Sequence, residues 1–128
     1  MHTGQRILVV DDLEMATDNI IRILKDANYT DIDCLHNAAS ALSALRQKEY
    51  NLVITDAQME PITGSELTRL MRADGLSKVK IILIGLFGGD DKALLDGADA
   101  YITKPFEPRD LKEKVADVLS TVAQLASG

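Results

Sequence analysis

Five short apolar runs, each followed by a stretch of helical periodicity, constrain this chain more than any other feature. The runs are Ile7-Leu8-Val9-Val10, Ile32-Asp33-Cys34-Leu35, Leu52-Val53-Ile54, Ile81-Ile82-Leu83-Ile84 and Ala100-Tyr101-Ile102. The first, third and fourth are unbroken and rich in Val and Ile, which suits strands covered on both faces of a parallel sheet. Between the runs, apolar residues step by three or four, as one face of a helix requires. Leu13, Ala16, Ile20, Leu24 and Ala27 form the first such face. Ala38, Ala41, Leu42 and Leu45 form the second, with Asn37 as a plausible N-cap. Leu67, Leu70 and Met71 form the third, with Ser65 near its start. After the fourth run only Asp91 to Leu95 can be helical before Gly97. Leu111, Val115, Val118, Leu119, Val122 and Leu125 form a long fifth face, with Pro108 near its first turn. Regular β-α alternation with short connections predicts an α/β fold with helices on both sides of the sheet. Right-handed crossovers leave few topologies. The expected one is a doubly wound, flavodoxin-like, five-stranded parallel sheet of order 2-1-3-4-5, with a shortened fourth helix.

A length of 128 residues fits a single domain over 1–128. Fourteen Lys and Arg against 20 Asp and Glu leave a formal charge of −6. That balance argues against direct nucleic-acid binding, because phosphates are repelled. Cys34 is the one cysteine, so neither an internal disulfide nor a Cys-rich zinc framework can form. No stretch approaches the ~20 apolar residues of a membrane span, and the start lacks the pattern of an export signal. The expectation is a cytoplasmic domain with no membrane insertion.

In doubly wound sheets the site lies at the carboxyl ends of the strands, where strand order reverses. That point falls between the first and third strands. Asp11 and Asp12 follow the first, Asp56 the third, Gly85 the fourth and Lys104 the fifth. Neighbouring strands are ~4.8 Å apart, so three carboxylates converge. Two unit charges ~4 Å apart in a partly buried site repel by about 4 kcal/mol. Such a cluster needs a proton or a cation. An oxygen-only donor set favours a hard ion such as Mg²⁺, which could also grip a phosphoryl group. A carboxylate can attack phosphorus, and Lys104 could neutralise the charge that develops. Each residue also has a plain reading. Asp12 can cap the first helix, Asp56 can be a loop residue, and Lys104 can be a solvated lysine. Their joint placement is what points to chemistry.

Ile7-Leu8-Val9-Val10-Asp11-Asp12, Leu52-Val53-Ile54-Thr55-Asp56, Met59 with Pro61 and Gly64, Gly97-Ala98-Asp99-Ala100-Tyr101 and Thr103-Lys104-Pro105-Phe106 extend the pattern over nearly the whole chain. With them the sequence resembles the receiver domain of two-component response regulators, the chemotaxis-type single-domain receiver in particular. The resemblance implies that Asp56 is the phosphoacceptor. It implies that Asp12 and Asp56 ligate Mg²⁺ directly, that Asp11 acts largely through water, and that the Gln58 backbone carbonyl is a further ligand. Lys104 would contact the phosphoryl oxygen. Pro105 would follow a cis peptide bond, and Tyr101 would be the aromatic that changes position on activation. The implied partners are a histidine kinase or histidine phosphotransfer protein and a downstream protein target. The partner face would be the fourth helix, fifth strand and fifth helix.

Departures from the family pattern matter as well. The family usually carries Ser or Thr just after the fourth strand, where this chain has Gly85. No hydroxyl residue occurs between Ser77 and Tyr101. The element that pulls on the loop and frees space for the aromatic is therefore missing, and Gly85, Gly88 and Gly89 would give a mobile loop. Leu86 is bulky where a small residue is usual and would restrict access to Asp56. Glu60-Pro61 implies a variant turn with unchanged chemistry. Of the quieter residues, Cys34 reads as buried packing and His36 as surface. Phe87 reads as either a core anchor or an exposed docking residue.

The leading function is a receiver that takes a phosphoryl group on Asp56 in a Mg²⁺-dependent reaction and signals by protein–protein contact. It is a regulatory phosphoacceptor that assists its own phosphotransfer and dephosphorylation, not an enzyme in the ordinary sense. The alternative is a pseudo-receiver or phosphate sink with little phosphorylation-driven switching. A hydrolase of the haloacid dehalogenase type would need an acid two residues after the nucleophile, where Gln58 stands. A dinucleotide carrier would need a glycine-rich loop after the first strand, where Asp11-Asp12-Leu13-Glu14 would repel phosphate.

Overall fold

The computed structural model describes residues 4–127, with side chains described through 120. Five strands alternate with five helices: β1 (Arg6–Val10), α1 (Glu14–Asp26), β2 (Asp31–Leu35), α2 (Ala38–Gln47), β3 (Leu52–Asp56), α3 (Gly64–Ala73), β4 (Lys80–Gly85), α4 (Asp90–Asp96), β5 (Ala100–Thr103) and α5 (Pro108–Ser127). The strands form one sheet of order β2-β1-β3-β4-β5, with every pair parallel. This is the expected flavodoxin-like arrangement, and α4 is short, with 7 residues.

Because side chains alternate across a strand, each central strand feeds both layers of the core. Ile7, Val9, Leu52, Ile54, Ile82, Ile84 and Ile102 face α1 and α5, where Ile20, Ile23, Leu24, Leu111, Val115, Val118 and Leu119 meet them. Leu8, Val10, Val53, Ile81 and Leu83 face the other way, toward Ala38, Ala41 and Leu45 of α2, Leu67 and Met71 of α3, and Ala93 of α4. Cys34 is half-buried against the first layer. The side chains of Val122 and Leu125 lie outside the described residues.

The helix faces differ from the sequence reading in two places. Leu13 is exposed, because it is the N-cap of α1 with an extended backbone, φ −104° and ψ 118°. The helical period therefore does not reach it, and Thr17 is buried instead. Leu70 is exposed, because the buried stripe of α3 is Gly64, Leu67, Thr68 and Met71, and Leu70 falls beside it. The cap of α3 is Thr63, whose hydroxyl accepts from the Glu66 N–H at 3.0 Å. Thr63-Gly64-Ser65-Glu66 is a capping-box pattern, and Ser65 stands near the start of α3 as expected. Asn37 caps α2 as expected, accepting from the Ser40 N–H at 2.8 Å.

Helix α4 buries only Ala93, so polar contacts hold it in place. Arg69 and Lys92 both pair with Asp96, at 3.1 and 2.8 Å. Arg72 of α3 donates to the Gly97 carbonyl at 2.9 Å, to the Leu76 and Val79 carbonyls at 2.6 and 2.8 Å, and to Asp99 at 2.9 Å. Asp99 in turn accepts from the Ile81 N–H at 2.8 Å. One guanidinium thus ties the end of α3 to the starts of β4 and β5 and to the end of α4.

A second polar tie carries a pH prediction. The Tyr50 phenol, 8% exposed as a residue, donates to Asp33 at 2.5 Å. Burial, then the Asp33 carboxylate, pushes Tyr50 up to about 12 from an ordinary 10.0. The hydrogen bond from Tyr50 holds the Asp33 carboxyl below its ordinary 3.8. The raised phenol favours the protonated fold, so its contribution is complete below pH 10.0 and is lost as pH rises toward about 12. The depressed carboxyl contributes above its unfolded value and loses that contribution in acid. The rise of Tyr50 from 10.0 to about 12 corresponds to about 2–3 kcal/mol. Urea unfolding across pH 9–12 is expected to show a steeper alkaline loss in the wild type than in Tyr50→Phe, and equal slopes would contradict this.

Candidate functional site

The carboxyl ends of β1, β3, β4 and β5 meet in one shallow acidic site. Asp11 leaves β1 directly and is 3% exposed. Its backbone N–H donates to the Leu35 carbonyl of β2 at 3.2 Å, and its carboxylate accepts from the Leu13 N–H at 3.0 Å. Asp11, not Asp12, therefore serves the start of α1, and the capping role considered for Asp12 is not found. Asp12 is exposed and turns to the site. Asp56 is the last residue of β3 and is 5% exposed. Carboxylate oxygens of Asp11, Asp12 and Asp56 all lie within 4.8 Å of one another.

Lys104 follows β5 and reaches past β4, bringing its Nζ to 3.0 Å from Asp56 Oδ1. Its backbone N–H donates to the Gly85 carbonyl at 2.8 Å, which anchors the turn from which the side chain projects. Asp56 Oδ1 also accepts from the Gln58 N–H at 3.2 Å. The Lys104–Pro105 peptide is cis, as is Glu60–Pro61. Gln58 is exposed at the rim. His36 is exposed, with a ring nitrogen 3.3 Å from the Thr17 hydroxyl. It is not among the clustered residues.

Three carboxylates against one ammonium leave a formal −3 + 1 = −2. Burial raises the Asp11 carboxyl above its ordinary value. The Leu13 N–H opposes this, the charge of Asp56 adds to it, Lys104 opposes it and Asp12 adds to it. A cluster of carboxylate oxygens with this spacing and an unbalanced negative charge suits a hard divalent cation, and the absence of Cys or His in the donor set agrees with Mg²⁺ over zinc. The residues present fit that ion.

Two glycines shape the site in a way the sequence did not reveal by spacing. Gly64 opens α3 against the end of β3. A Cβ there would collide with the Asp56 carbonyl oxygen and lie 2.8 Å from its carbonyl carbon. Gly85 ends β4 beside Tyr101, where a Cβ would collide with the phenol oxygen and lie 3.0 Å from Ala57 Cβ. Gly85 therefore serves close approach, as does Gly89, whose Cβ would also meet the Tyr101 phenol. Of Gly85, Gly88 and Gly89, Gly88 has a left-handed backbone, with φ 90°. Phe87 is 91% exposed, which removes the core-anchor reading, and Leu86 is exposed beside it. Tyr101 is half-buried, and its hydroxyl donates to the Leu86 carbonyl at 2.6 Å.

A doubly wound parallel sheet with a carboxylate cluster and a paired lysine at its switch point defines a class of flavodoxin-like α/β domain with an acidic site. Residues 7–116 match the model of the response regulator receiver domain. The chain belongs to that family. It is 29% identical over 121 residues to the chemotaxis protein CheY of Pseudomonas aeruginosa, spanning 91% of this chain and 98% of that one. It is 34% identical over 122 residues to the phosphate regulon transcriptional regulatory protein PhoB of the same organism, covering 91% of this chain but only 52% of PhoB. The receiver domain of NtrX from Brucella abortus superimposes with a TM-score of 0.82 at 27% identity, over 90% of this chain and 98% of that one. The chemotaxis response regulator CheY4 of Vibrio cholerae shares the fold, with a TM-score of 0.83 at 23% identity. The family is one of regulatory phosphoacceptors in signal transduction. Among the described residues, no helix is long and apolar enough to cross a membrane.

Proposed function

We propose that Asp56 accepts a phosphoryl group from a phosphohistidine of a histidine kinase or histidine phosphotransfer protein, and that the domain signals through protein–protein contact. The observation that carries this reading is the 3.0 Å pairing of Lys104 with Asp56 inside a carboxylate cluster that has no other cation among the described residues. An oxygen of Asp56 attacks phosphorus as the P–N bond to the donor imidazole breaks. The leaving imidazole keeps the bonding pair and takes up a proton. Lys104 then turns from the Asp56 carboxylate to the phosphoryl oxygens, where its charge is fixed in advance of the reaction. Asp11, Asp12, Asp56 and the Gln58 backbone carbonyl would hold Mg²⁺, which when bound supplies positive charge to both carboxylate and phosphoryl oxygens. The same site would assist later attack by water on the aspartyl phosphate.

The partner face in this reading is α4, β5 and α5, with Leu94 and Leu95 exposed on α4. The chain spans only about half the length of the transcriptional regulatory protein PhoB, and 49% of the DNA-binding response regulator MtrA of Mycobacterium tuberculosis. The acidic balance of the chain agrees with protein contacts over direct nucleic-acid contact. The reading also implies a cytoplasmic location, where kinases draw phosphoryl groups from ATP.

The test is intact mass after incubation with Mg²⁺ and acetyl phosphate. A phosphoryl adduct is expected that disappears with EDTA and in Asp56→Asn. Leu86 stands at the rim, so a small phosphoramidate donor and a phosphorylated histidine phosphotransfer protein complete the series. No adduct from any donor would overturn the reading in favour of a phosphorylation-independent docking module.

A further inference from the structure

Helix α1 starts without a side-chain cap, because its N-cap is Leu13. Two consecutive residues at the end of β2, Leu35 and His36, hold its start instead. The Leu35 carbonyl accepts from the Asp11 N–H at 3.2 Å. The His36 ring meets the buried Thr17 hydroxyl, with Nε2 3.3 Å from Oγ1. That hydroxyl also donates to the Glu14 carbonyl at 2.9 Å. A hydroxyl has one proton, and the shorter contact takes it. Oγ1 is then the acceptor toward His36, so Nε2 is assigned the ring hydrogen. Between the two attachments runs the segment 11–17. Asp11 is buried in it, and its carboxylate accepts from the Leu13 N–H at 3.0 Å. Asp12 is exposed and, among the described residues, accepts no hydrogen bond and joins no ion pair. Its carboxylate nonetheless lies within 4.8 Å of those of Asp11 and Asp56. The backbone on either side therefore sets where Asp12 sits, not a contact of its own.

We infer that His36 is a positioning residue for the acidic site: by holding Thr17 from the β2–α2 loop, it fixes the segment that carries Asp12 and so sets the affinity for Mg²⁺. The inference rests on the reading of Asp12 as a Mg²⁺ ligand. His36 is not among the clustered residues and acts through Thr17. The body of α1 is held by Ile20, Ile23 and Leu24, which are buried against the sheet. Loss of the His36 tie therefore leaves the helix in place and frees chiefly its uncapped first turn, since helix ends fray. Mg²⁺ demands near-ideal octahedral geometry, so a small displacement of one carboxylate is felt as lost affinity.

The test is titration of the whole chain with MgCl₂, followed by ¹⁵N amide shifts. His36→Phe keeps a ring and loses the donor. Thr17→Val keeps the buried shape and loses the acceptor, and it guards against a folding failure of the first variant. Each is expected to weaken Mg²⁺ binding about two- to tenfold, the span of one net hydrogen bond. His36→Gln keeps an N–H donor without a titrating charge and is expected to recover most of the wild-type affinity. In an Asp12→Asn background His36→Phe should cost nothing further, because the carboxylate it positions is gone. A general loosening of the fold would weaken binding in both backgrounds. In EDTA the Asp12 and Leu13 amides are expected to shift in His36→Phe and to return in His36→Gln. Wild-type Mg²⁺ affinity in both single variants would overturn the inference, as would a His36→Phe loss that persists in the Asp12→Asn background. A wild-type protein that does not respond to Mg²⁺ would instead remove the Mg²⁺ reading of the cluster and the affinity effect with it. The amides in EDTA would still decide whether His36 fixes the segment, and unmoved amides would overturn that.

Discussion

Gly64→Ala is expected to destabilise the protein by more than about 3 kcal/mol, beyond the usual range for an added methylene. Helix propensity alone predicts the opposite sign, since alanine is favoured over glycine in a helix by about 1 kcal/mol. Gly64 is the first residue of α3, and its N–H donates to the Ala57 carbonyl at 3.1 Å. The three nearest atoms that a Cβ there would meet are all backbone: the Asp56 carbonyl oxygen, its carbon at 2.8 Å and Ala57 Cα at 3.0 Å. Backbone cannot rotate away as the end of a long side chain can. Relief would require moving the end of β3 or the start of α3, and β3 is buried at every position and paired on both edges. The same displacement would carry Asp56 away from Lys104, so phosphoryl uptake should fall with stability. Gly75→Ala is the comparison, because that glycine has φ 85° but nothing within 4 Å of a Cβ. Its cost should be limited to the ~1–2 kcal/mol of a left-handed backbone. Urea unfolding of both variants checks this, and a Gly64→Ala protein as stable as Gly75→Ala would contradict it.

Asp12→Asn should move the protein in opposite directions with and without Mg²⁺. Asp12 is exposed and, among the described residues, accepts no hydrogen bond and joins no ion pair, yet its carboxylate lies within 4.8 Å of two others. Neutralising it removes repulsion and breaks no bond, so the melting temperature in EDTA is expected to rise. Salt should narrow that gain, because exposed charges are screened. In Mg²⁺ the order should reverse. An ion that binds only the folded state stabilises it by mass action, and loss of a ligand reduces that gain. Loss of even a supporting partner of a metal costs about 10–100-fold in affinity, so a direct ligand should cost at least tenfold. The rate of adduct formation from acetyl phosphate should fall in step. Thermal melts of wild type and variant in EDTA and in a Mg²⁺ series measure all of this. An unchanged Mg²⁺ response in the variant would remove Asp12 from the ligand set.

Much of the fold was legible because the evidence for it is repeated. The runs at Ile7, Leu52 and Ile81 are apolar on consecutive residues, and that reads as a doubly covered strand without knowledge of any neighbour. The site residues were legible for a related reason. Asp11, Asp12, Asp56 and Lys104 each stand at or just past the end of a strand, and parallel strands place their ends on one side. Errors arose where a local pattern had two solutions. Leu13 and Leu70 fit the three-and-four spacing as well as their buried neighbours do, but helix start and stripe centre are set by what packs on the helix. Asp12 reads in sequence as a candidate cap for α1. The turn after β1 presents Asp11 to the Leu13 N–H and leaves Asp12 to the cluster.

By itself, then, the order of apolar runs and helical faces determined the parallel α/β sheet, and the residues that end its strands determined the acidic site. Both follow from periodicities of two and 3.6 and from the direction of parallel strands, which are properties of the chain alone. The tertiary structure decided what no local pattern contains: which atoms come within contact distance. Gly85 and Gly89 look in sequence like flexible loop residues. They became a slot for Tyr101 only when β5 lay beside β4, because exclusion by hard contact depends on three-dimensional distance between residues far apart in the chain. Arg72 looks like a surface arginine on a short helix. It became the tie for α4 only because the starts of β4 and β5 and the end of α4 bring three carbonyls and a carboxylate within reach of one planar group.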